Sequence, residues 1–398
     1  MSKLKELIQN LCPDGVEYKK LGELLDYEQP TKYIVKSTEY DSSYDIPVLT
    51  AGQTFVLGYT NEKFGVYRAS QDNPTIIFDD FTTSFHWVDF EFKIKSSAMK
   101  MLRPKGTFDG YFKYVYYAMK CIKYEAIDHT RHWISKYSQF EIPVPPLEIQ
   151  EEIVRIFDHF TNLAAELQAE LQARKEQYEY YRNKLLTFDK MGGGTQSVTW
   201  MKMSEIGTFI RGKRFVRTDI VSDGVPCIHY GDMYTYYGLY TNQSKGRLRS
   251  ELASKMRYAQ KNDVVIVAAG ENKEDIGIGL AWIGDEPAAV HDACFIFRSD
   301  LYPQYVSHYL RSDYYHKQIV KYVSEGKICS ISAKGLGNTI IPVPPYEEQV
   351  RIATLLNNFD ALVGDLTEGL PAEIAAVQEQ YEYYRNKLLS FPRIQISA

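Results

Sequence analysis

The chain's 398 residues are two to three times an ordinary domain, so more than one compact core is expected. A hydrophobic content of 44%, with 14% aromatic and 24% charged residues, excludes a chain disordered throughout. No stretch approaches the roughly 20 apolar residues that cross a bilayer, and the opening MSKLKELIQNLCPDG lacks a long apolar core with a cleavage site, so membrane and secreted proteins are set aside. Cys12, Cys121, Cys227, Cys294 and Cys329 are odd in number and form no C-x-x-C pair, which argues against a disulfide framework or structural zinc and for a reducing cytoplasm.

In chain order, IPVLTAG (46–52), PTIIFDDF (74–81) and VDFEFKI (88–94) read as β-rich, and DGYFKYVYYAMKCIK (109–123) as a helix. IPVPP (142–146) then leads into a helix. Its apolar residues, from Ile149, Ile153, Ile156 and Phe160 to Tyr178, Tyr181, Leu185 and Phe188, mostly step by three and four. Residues 191–195, with three consecutive glycines, form a flexible join. Beyond it DVVIVAAG (263–270) and ACFIFRS (293–299) are β-rich, and QYVSHYLRSDYYHKQIVKYV (304–323) is helical. A second IPVPP (341–345) opens a second seam, from Ile352, Leu355 and Phe359 to Tyr381, Tyr384, Leu388 and Phe391.

The chain is thus written twice. YEYYRNKLLTF (178–188) recurs as YEYYRNKLLSF (381–391), whereas the globular parts share only a frame, such as Pro47 and Gly52 against Pro226 and Gly231. The expected segments are a first globule (1–146), a first spacer helix (147–190), a glycine-rich linker (191–196), a second globule (197–345), a second spacer helix (346–391) and a tail (392–398). Neither helix, about 60 Å long, can bury its seam alone. The economical arrangement is an intramolecular antiparallel coiled coil joining two pseudo-repeated α+β globules; seams buried in separate cores or in a homodimer are the alternative. Between IPVPP and YEYYRNK the second copy is longer by four residues, a stutter with Gly369 and Pro371 near it, where a local kink is expected. The tandem AELQAELQ (165–172) carries the mark of the same kind of length change.

The net charge is −5, but residues 147–188 hold −3 and residues 346–391 hold −5, leaving +3 on the globules. Basic residues cluster in IRGKRFVR (210–217) and KGRLRSELASKMR (245–257), a composition suited to phosphates, although such runs are commonly solvated surface. No phosphate-binding loop, H-E-x-x-H or G-x-S-x-G is present. VPPL (144–147) and VPPY (343–346) superficially resemble the Pro-Pro motif of amino-group methyltransferases, but Val144 and Val343 stand where the amino group would be accepted, and helix starts explain both better. Asp79-Asp80 and His291-Asp292 lack a second cluster at ligand spacing, and AAGENKEDIGIG (268–279) lacks the strand and helix of a dinucleotide fingerprint, so it reads as a turn.

LCPDGVEYKKLGEL (11–24), the helix starts IPVPPLEIQEEIVRIF and IPVPPYEEQVRIATLL, and the two YEYYRNKLL ends together resemble the specificity subunits of type I restriction-modification systems over nearly the whole chain. The resemblance implies a chain without catalysis, in which each globule is a target recognition domain reading one half of a bipartite, asymmetric target in double-stranded DNA. It implies that the helices set the gap and dock two methyltransferase subunits, that restriction/translocase subunits join the larger complex, and that S-adenosylmethionine, ATP and magnesium belong to those partners. A coiled-coil protein scaffold without DNA contact is the alternative.

LTAGQ (49–53), FDDFTT (78–83) and GENKEDIG (270–277) resemble stretches of the family's recognition domains. On that footing the expected base readers are Gln53, Asp80, Thr82, Thr83 and His132 in the first globule and Tyr230, Asp232, Asn272 and Lys273 in the second, since amides, acids and hydroxyls pair with base edges. Lys32, Arg131, Arg211, Lys213, Arg214 and Lys334 are the expected phosphate contacts.

Overall fold

The computed structural model describes residues 2–52, 54–124, 131–188, 198–364 and 368–394. It divides into two units, Met1–Glu166 with Ile374–Ala398, and Leu167–Glu373, so the division falls inside the long helices.

The first unit opens with α1 (Ser2–Leu11), β1 (Glu17–Lys20), α2 (Leu21–Leu24) and β2 (Leu25–Glu28). It continues through β3 (Ile46–Leu49), β4 (Val56–Thr60), β5 (Thr75–Asp79), β6 (Phe85–Val88), β7 (Lys93–Ile94) and β8 (Met99–Pro104) to α3 (Phe112–Met119), α4 (His132–Ser135) and β9 (Glu141–Val144). One sheet runs β2-β8-β5-β6 and another β4-β3-β7, while β1 pairs with β9. The 41-residue α5 (Leu147–Thr187) follows the Pro-Pro step; its Ile149, Ile153 and Phe157 join Leu388, Leu389 and Phe391 from the far end of the chain in one core with Leu4, Val16 and Trp133. Residues 392–394 of the expected tail are tied down here. Val16 N–H donates to Pro392 O at 2.8 Å and Ile394 N–H to Val16 O at 3.1 Å.

The second unit begins with the rest of α5 and runs through β10 (Thr199–Lys202), α6 (Met203–Ile206), β11 (Gly207–Arg211), β12 (Ile220–Val221), β13 (Val225–Ile228), α7 (Asp232–Thr235), β14 (Tyr240–Thr241), β15 (Gly246–Leu248) and β16 (Tyr258–Ala259). Then come β17 (Val264–Val267), β18 (Ala269–Gly270), β19 (Gly279–Trp282), β20 (Ala288–Val290), β21 (Cys294–Ser299), α8 (Pro303–Tyr309), α9 (Asp313–Ile319), β22 (Cys329–Ser330), α10 (Ala333–Gly337), β23 (Ile340–Val343) and α11 (Tyr346–Gly364). The sheets run β11-β21-β17-β19-β14 and β12-β15-β13-β20-β16, with β10-β23 and β18-β22 as separate pairs.

These orders contain the first unit's frame. In both, the strand after the opening turn of helix lies beside the last long strand, and a short parallel pair, β3 with β7 or β13 with β20, holds the second sheet. Side chains repeat it. Gln150 accepts from Tyr111 N–H at 3.0 Å and Gln349 from Tyr302 N–H at 2.9 Å, while Tyr114 and Tyr305 each donate to a strand-proline carbonyl, that of Pro143 and that of Pro342, at 2.9 Å.

Two expectations are corrected. Residues 304–323 form two helices, because Ser312 caps a new one by accepting from Tyr315 N–H at 3.3 Å. The second spacer is also two helices, α11 and α12 (Leu370–Leu388), with a turn and bend at Glu368 and Gly369. Pro371 falls in the first turn of α12, where its missing N–H breaks no bond. Ring contacts fix the helix pairing within each unit: Phe157 meets Tyr381 at 5.6 Å in the first, and Tyr181 meets Phe359 at 5.7 Å in the second. The glycine-rich linker lies outside the described residues.

Candidate nucleic-acid interface

In the first unit the connection from β5 to β6 is a tight turn. The Asp79 carboxylate accepts from the N–H groups of Phe81 and Thr82, both at 2.9 Å, and Thr83 takes a left-handed φ of 58°. Thr82 is thereby exposed at the tip, whereas Thr83 is buried and its hydroxyl donates to Thr82 O at 2.7 Å. Thr83, Gly52 and His86 border a cavity of about 400 Å³. His86 Nε2 lies 3.1 Å from Gly52 O, linking the two loops; no motif in the sequence singles it out.

Two expected base readers are structural. Asp80 is 1% exposed, pairs with the equally buried Lys100 at 3.1 Å and accepts Trp133 N–H at 2.8 Å. His132 is fully buried, its Nδ1 3.0 Å from the Tyr124 hydroxyl, and its N–H donates to Asp80 O at 2.8 Å. Together they tie the β5–β6 turn to α4, so neither reaches a base edge. Gln53 lies outside the described residues. Arg131, just before α4, is exposed; Lys32 is exposed but paired with Glu28 at 2.8 Å.

In the second unit the chain leaving β11 lies along the end of β20. Gly212 N–H donates to Cys294 O at 3.0 Å and Lys213 N–H to Val290 O at 2.9 Å. A Cβ at Gly212 would stand 2.2 Å from His291 O, so only glycine permits the approach. Buried Phe215 then packs 5.2 Å from His291 and 5.9 Å from His229. With the backbone fixed on both sides, Lys213 and Arg214 are exposed, and the Arg211 Nε donates to Asp292 O at 3.0 Å. Lys334, on α10, is exposed as well.

Tyr230 stacks 4.7 Å from His229 and 5.0 Å from His291. Burial lowers the pKa of both histidines, that of His229 to about 4, so both are neutral near pH 7. A cavity of about 500 Å³ is bordered by Tyr230, Gly270, Glu271, His291, Lys327 and Ile328. It brings Tyr230 beside the start of the loop carrying Asn272 and Lys273. Lys327 and Ile328 were missed, because a lone basic-apolar pair between turns has no distinguishing pattern. Asn272 is exposed, its amide donating to Asp275 at 3.1 Å. Lys273 is committed to an ion pair with Glu325. Asp232 is a further correction: it is buried between Lys245 at 3.1 Å and Arg217 at 3.5 Å, and neutralises them instead of facing a base.

Among the described residues no group of three or more His, Cys, Asp or Glu could hold a metal ion, and no helix is long and apolar enough to cross a membrane. The first unit thus exposes the Thr82 hydroxyl and the Arg131 guanidinium, and the second exposes Lys213, Arg214 and the Asn272 amide, on loops carried by the sheets. A family model described as the type I restriction modification DNA specificity domain matches residues 13–176 and again 195–376, and the chain belongs to the specificity subunits of type I restriction-modification systems. It is 42% identical to the specificity subunit of the type I restriction enzyme EcoR124I/EcoR124II from Escherichia coli, an alignment covering 99% of this chain and 98% of that one. The S subunit of a type I restriction-modification system from M. genitalium has a similar fold, with a TM-score of 0.58 at 15% identity over 94% of this chain and 96% of that one. A chain from a study of complex assembly and conformational transition in the type I R-M system gives 0.54 at 18% identity, covering 95% and 98%.

Proposed function

We propose that this chain is the non-catalytic DNA-reading subunit of a cytoplasmic type I complex, each globule recognising one half of a bipartite, asymmetric target in double-stranded DNA. The observation that carries this reading is one sheet frame built twice with different loops on it: Thr82 and Arg131 on the first, Arg211, Lys213, Arg214, Tyr230 and Asn272 on the second. A shared frame with divergent loops suits two different half-sites. Exposed cations supply the sequence-independent attraction to phosphates, and amides, hydroxyls and the Tyr230 ring supply selectivity at base edges.

The spacer helices hold the half-site separation and dock two methyltransferase subunits, with restriction/translocase subunits joining them. S-adenosylmethionine, ATP and magnesium belong to those partners. Exchanging residues 16–141 for the matching part of a relative, followed by genome-wide mapping of methylated adenines, tests the reading. One half of the methylated sequence should change and the other stay. A change in both halves, or methylation indifferent to the exchange, overturns it.

A further inference from the structure

We infer that the cavity bordered by Tyr230, Glu271, His291 and Ile328 receives one nucleobase turned out of the double helix, so that the second globule reads one position of its half-target inside the protein; the inference rests on the DNA-reading function proposed above.

The walls suit a flat, uncharged ring. Tyr230 is backed by His229 at 4.7 Å and His291 at 5.0 Å, and Phe215 meets His291 edge-on at 5.2 Å and 80°. Burial keeps both imidazoles neutral near pH 7, so the cluster is a stacking surface and not a phosphate cradle. Ala293 and Ile328 add apolar wall, and at about 500 Å³ the space lies in the range of pockets that enclose small ligands.

The polar groups stand where a nucleotide needs them. Glu271, exposed at the rim, offers a carboxylate to an exocyclic amino group, which favours adenine or cytosine over thymine. Lys327 borders the same space, and the exposed Lys213 and Arg214 follow the backbone bond from Lys213 N–H to Val290 O, next to His291. These cations suit the flanking phosphates. In the wall, Gly270 leaves the Tyr234 hydroxyl 2.7 Å from where a Cβ would stand. That hydroxyl is buried and has no hydrogen-bond partner among the described residues, a costly state that a ring nitrogen or carbonyl of a base relieves.

The loops framing the cavity are fixed before DNA arrives. Ser324 and Ser330 exchange both backbone hydrogen bonds, at 2.8 and 3.0 Å, Gly270 pairs with Cys329 between β18 and β22, and Lys273 joins Glu325 across the two loops. Ile328 is therefore held in place although 61% exposed, which lowers the entropy lost on binding. An exposed isoleucine beside a lysine is the kind of apolar wedge that enters between base steps and unstacks them.

The test uses the complete complex of this chain with its methyltransferase subunits, and synthetic duplexes carrying the target mapped from genomic methylation. At each position in turn one base of the pair is exchanged to make a mismatch, and binding is measured by fluorescence anisotropy beside a random-sequence duplex. The methylated adenines, which the methyltransferase itself extrudes, are left out. A wrong base at a groove-read pair weakens binding. At the pair whose base enters the cavity, exchange of the opposing base should tighten binding by about 10-fold, because the pair is already open. Tyr230→Ala should abolish that gain and weaken binding to the matched target by about 30-fold. Ile328→Ser, at an exposed side chain, should diminish the gain without lowering the melting temperature, and it decides the matter if Tyr230→Ala destabilises the chain. Absence of any pair with the reversed sign, or a reversed sign that both variants leave at full size, overturns the inference, while preference for the target over random duplex keeps the DNA-reading function standing. Equal binding to target and random duplex overturns both.

Discussion

Asp80 offers the sharpest separation of structure from recognition. Asp80→Asn keeps the shape and an acceptor for Trp133 N–H, but leaves the ammonium of Lys100, whose side chain is 2% exposed, without its carboxylate. Removing one member of a buried ion pair costs about 3–5 kcal/mol. The Tyr27 ring, 4.7 Å from Lys100 Nζ, remains and places the expectation near the lower end. A loss of about 3 kcal/mol, against an m value of roughly 2 kcal/mol/M, moves the urea midpoint of the first unit down by about 1.5 M. Hydrogen exchange resolved to α4 and β8 should localise the loss, and adding Lys100→Met should recover most of it, since the neutral Asn–Met pair leaves no buried charge unpaired. An Asp80→Asn chain that unfolds like the unaltered one but methylates a sequence altered at one position would refute the reasoning and return Asp80 to the base readers.

His308 predicts a pH dependence. It is fully buried, its Nε2–H pointing to Asn357 Oδ1 at 2.8 Å and its Nδ1 lying 3.2 Å from the Tyr178 hydroxyl, and burial lowers its pKa to about 4. The unfolded chain, with the ordinary value near 6.5, binds the proton first, so the stability that His308 contributes is complete above about pH 6.5 and falls towards pH 4 by about 3 kcal/mol; His308→Gln should remove that share of the slope from a series of melts across this range and leave the share of His229 and His291. Lys213→Ala should weaken binding to every DNA sequence and reduce the salt slope by about one, whereas Asn272→Ala should relax one target position; salt-dependent binding to matched and mismatched duplexes separates the two, and identical behaviour would contradict the division of roles. Repeating one AELQ tetrapeptide in α5 advances the helix by about 6 Å, so the methylated half-sites should move apart by one or two base pairs when mapped in vivo.

The repeat made the architecture legible: identical helix ends imposed two copies, and an unpartnered seam imposed a helix pair. A kink near Gly369 was legible too, from the four-residue stutter and from Pro371, but not that it would divide the spacer into two helices. The interface was legible only in part. Exposed cations such as Lys213 follow from composition, but Asp80, His132 and Asp232 lie in loops of the expected kind and are nonetheless buried. Their fate depends on Lys100, Tyr124 and Lys245, partners 20, 8 and 13 residues away in sequence. No local pattern separates an acid that meets a base from one that meets a buried lysine. His86 and Ile328 escaped notice for the same reason: a cavity is a property of assembled loops.

The core of the first unit contains Leu388, Leu389 and Phe391, which the ribosome makes more than 200 residues after Phe157 of the same core. The second unit, Leu167–Glu373, is continuous, and about 200 residues separate the two parts of the first. At about 5–20 residues per second, the earlier-made globule waits for roughly 10–40 s with Ile149, Ile153 and Phe157 uncovered, while the later-made one has all its own segments in hand. Assembly order therefore runs against synthesis order, and the nascent amino-terminal half is the stretch most in need of a chaperone.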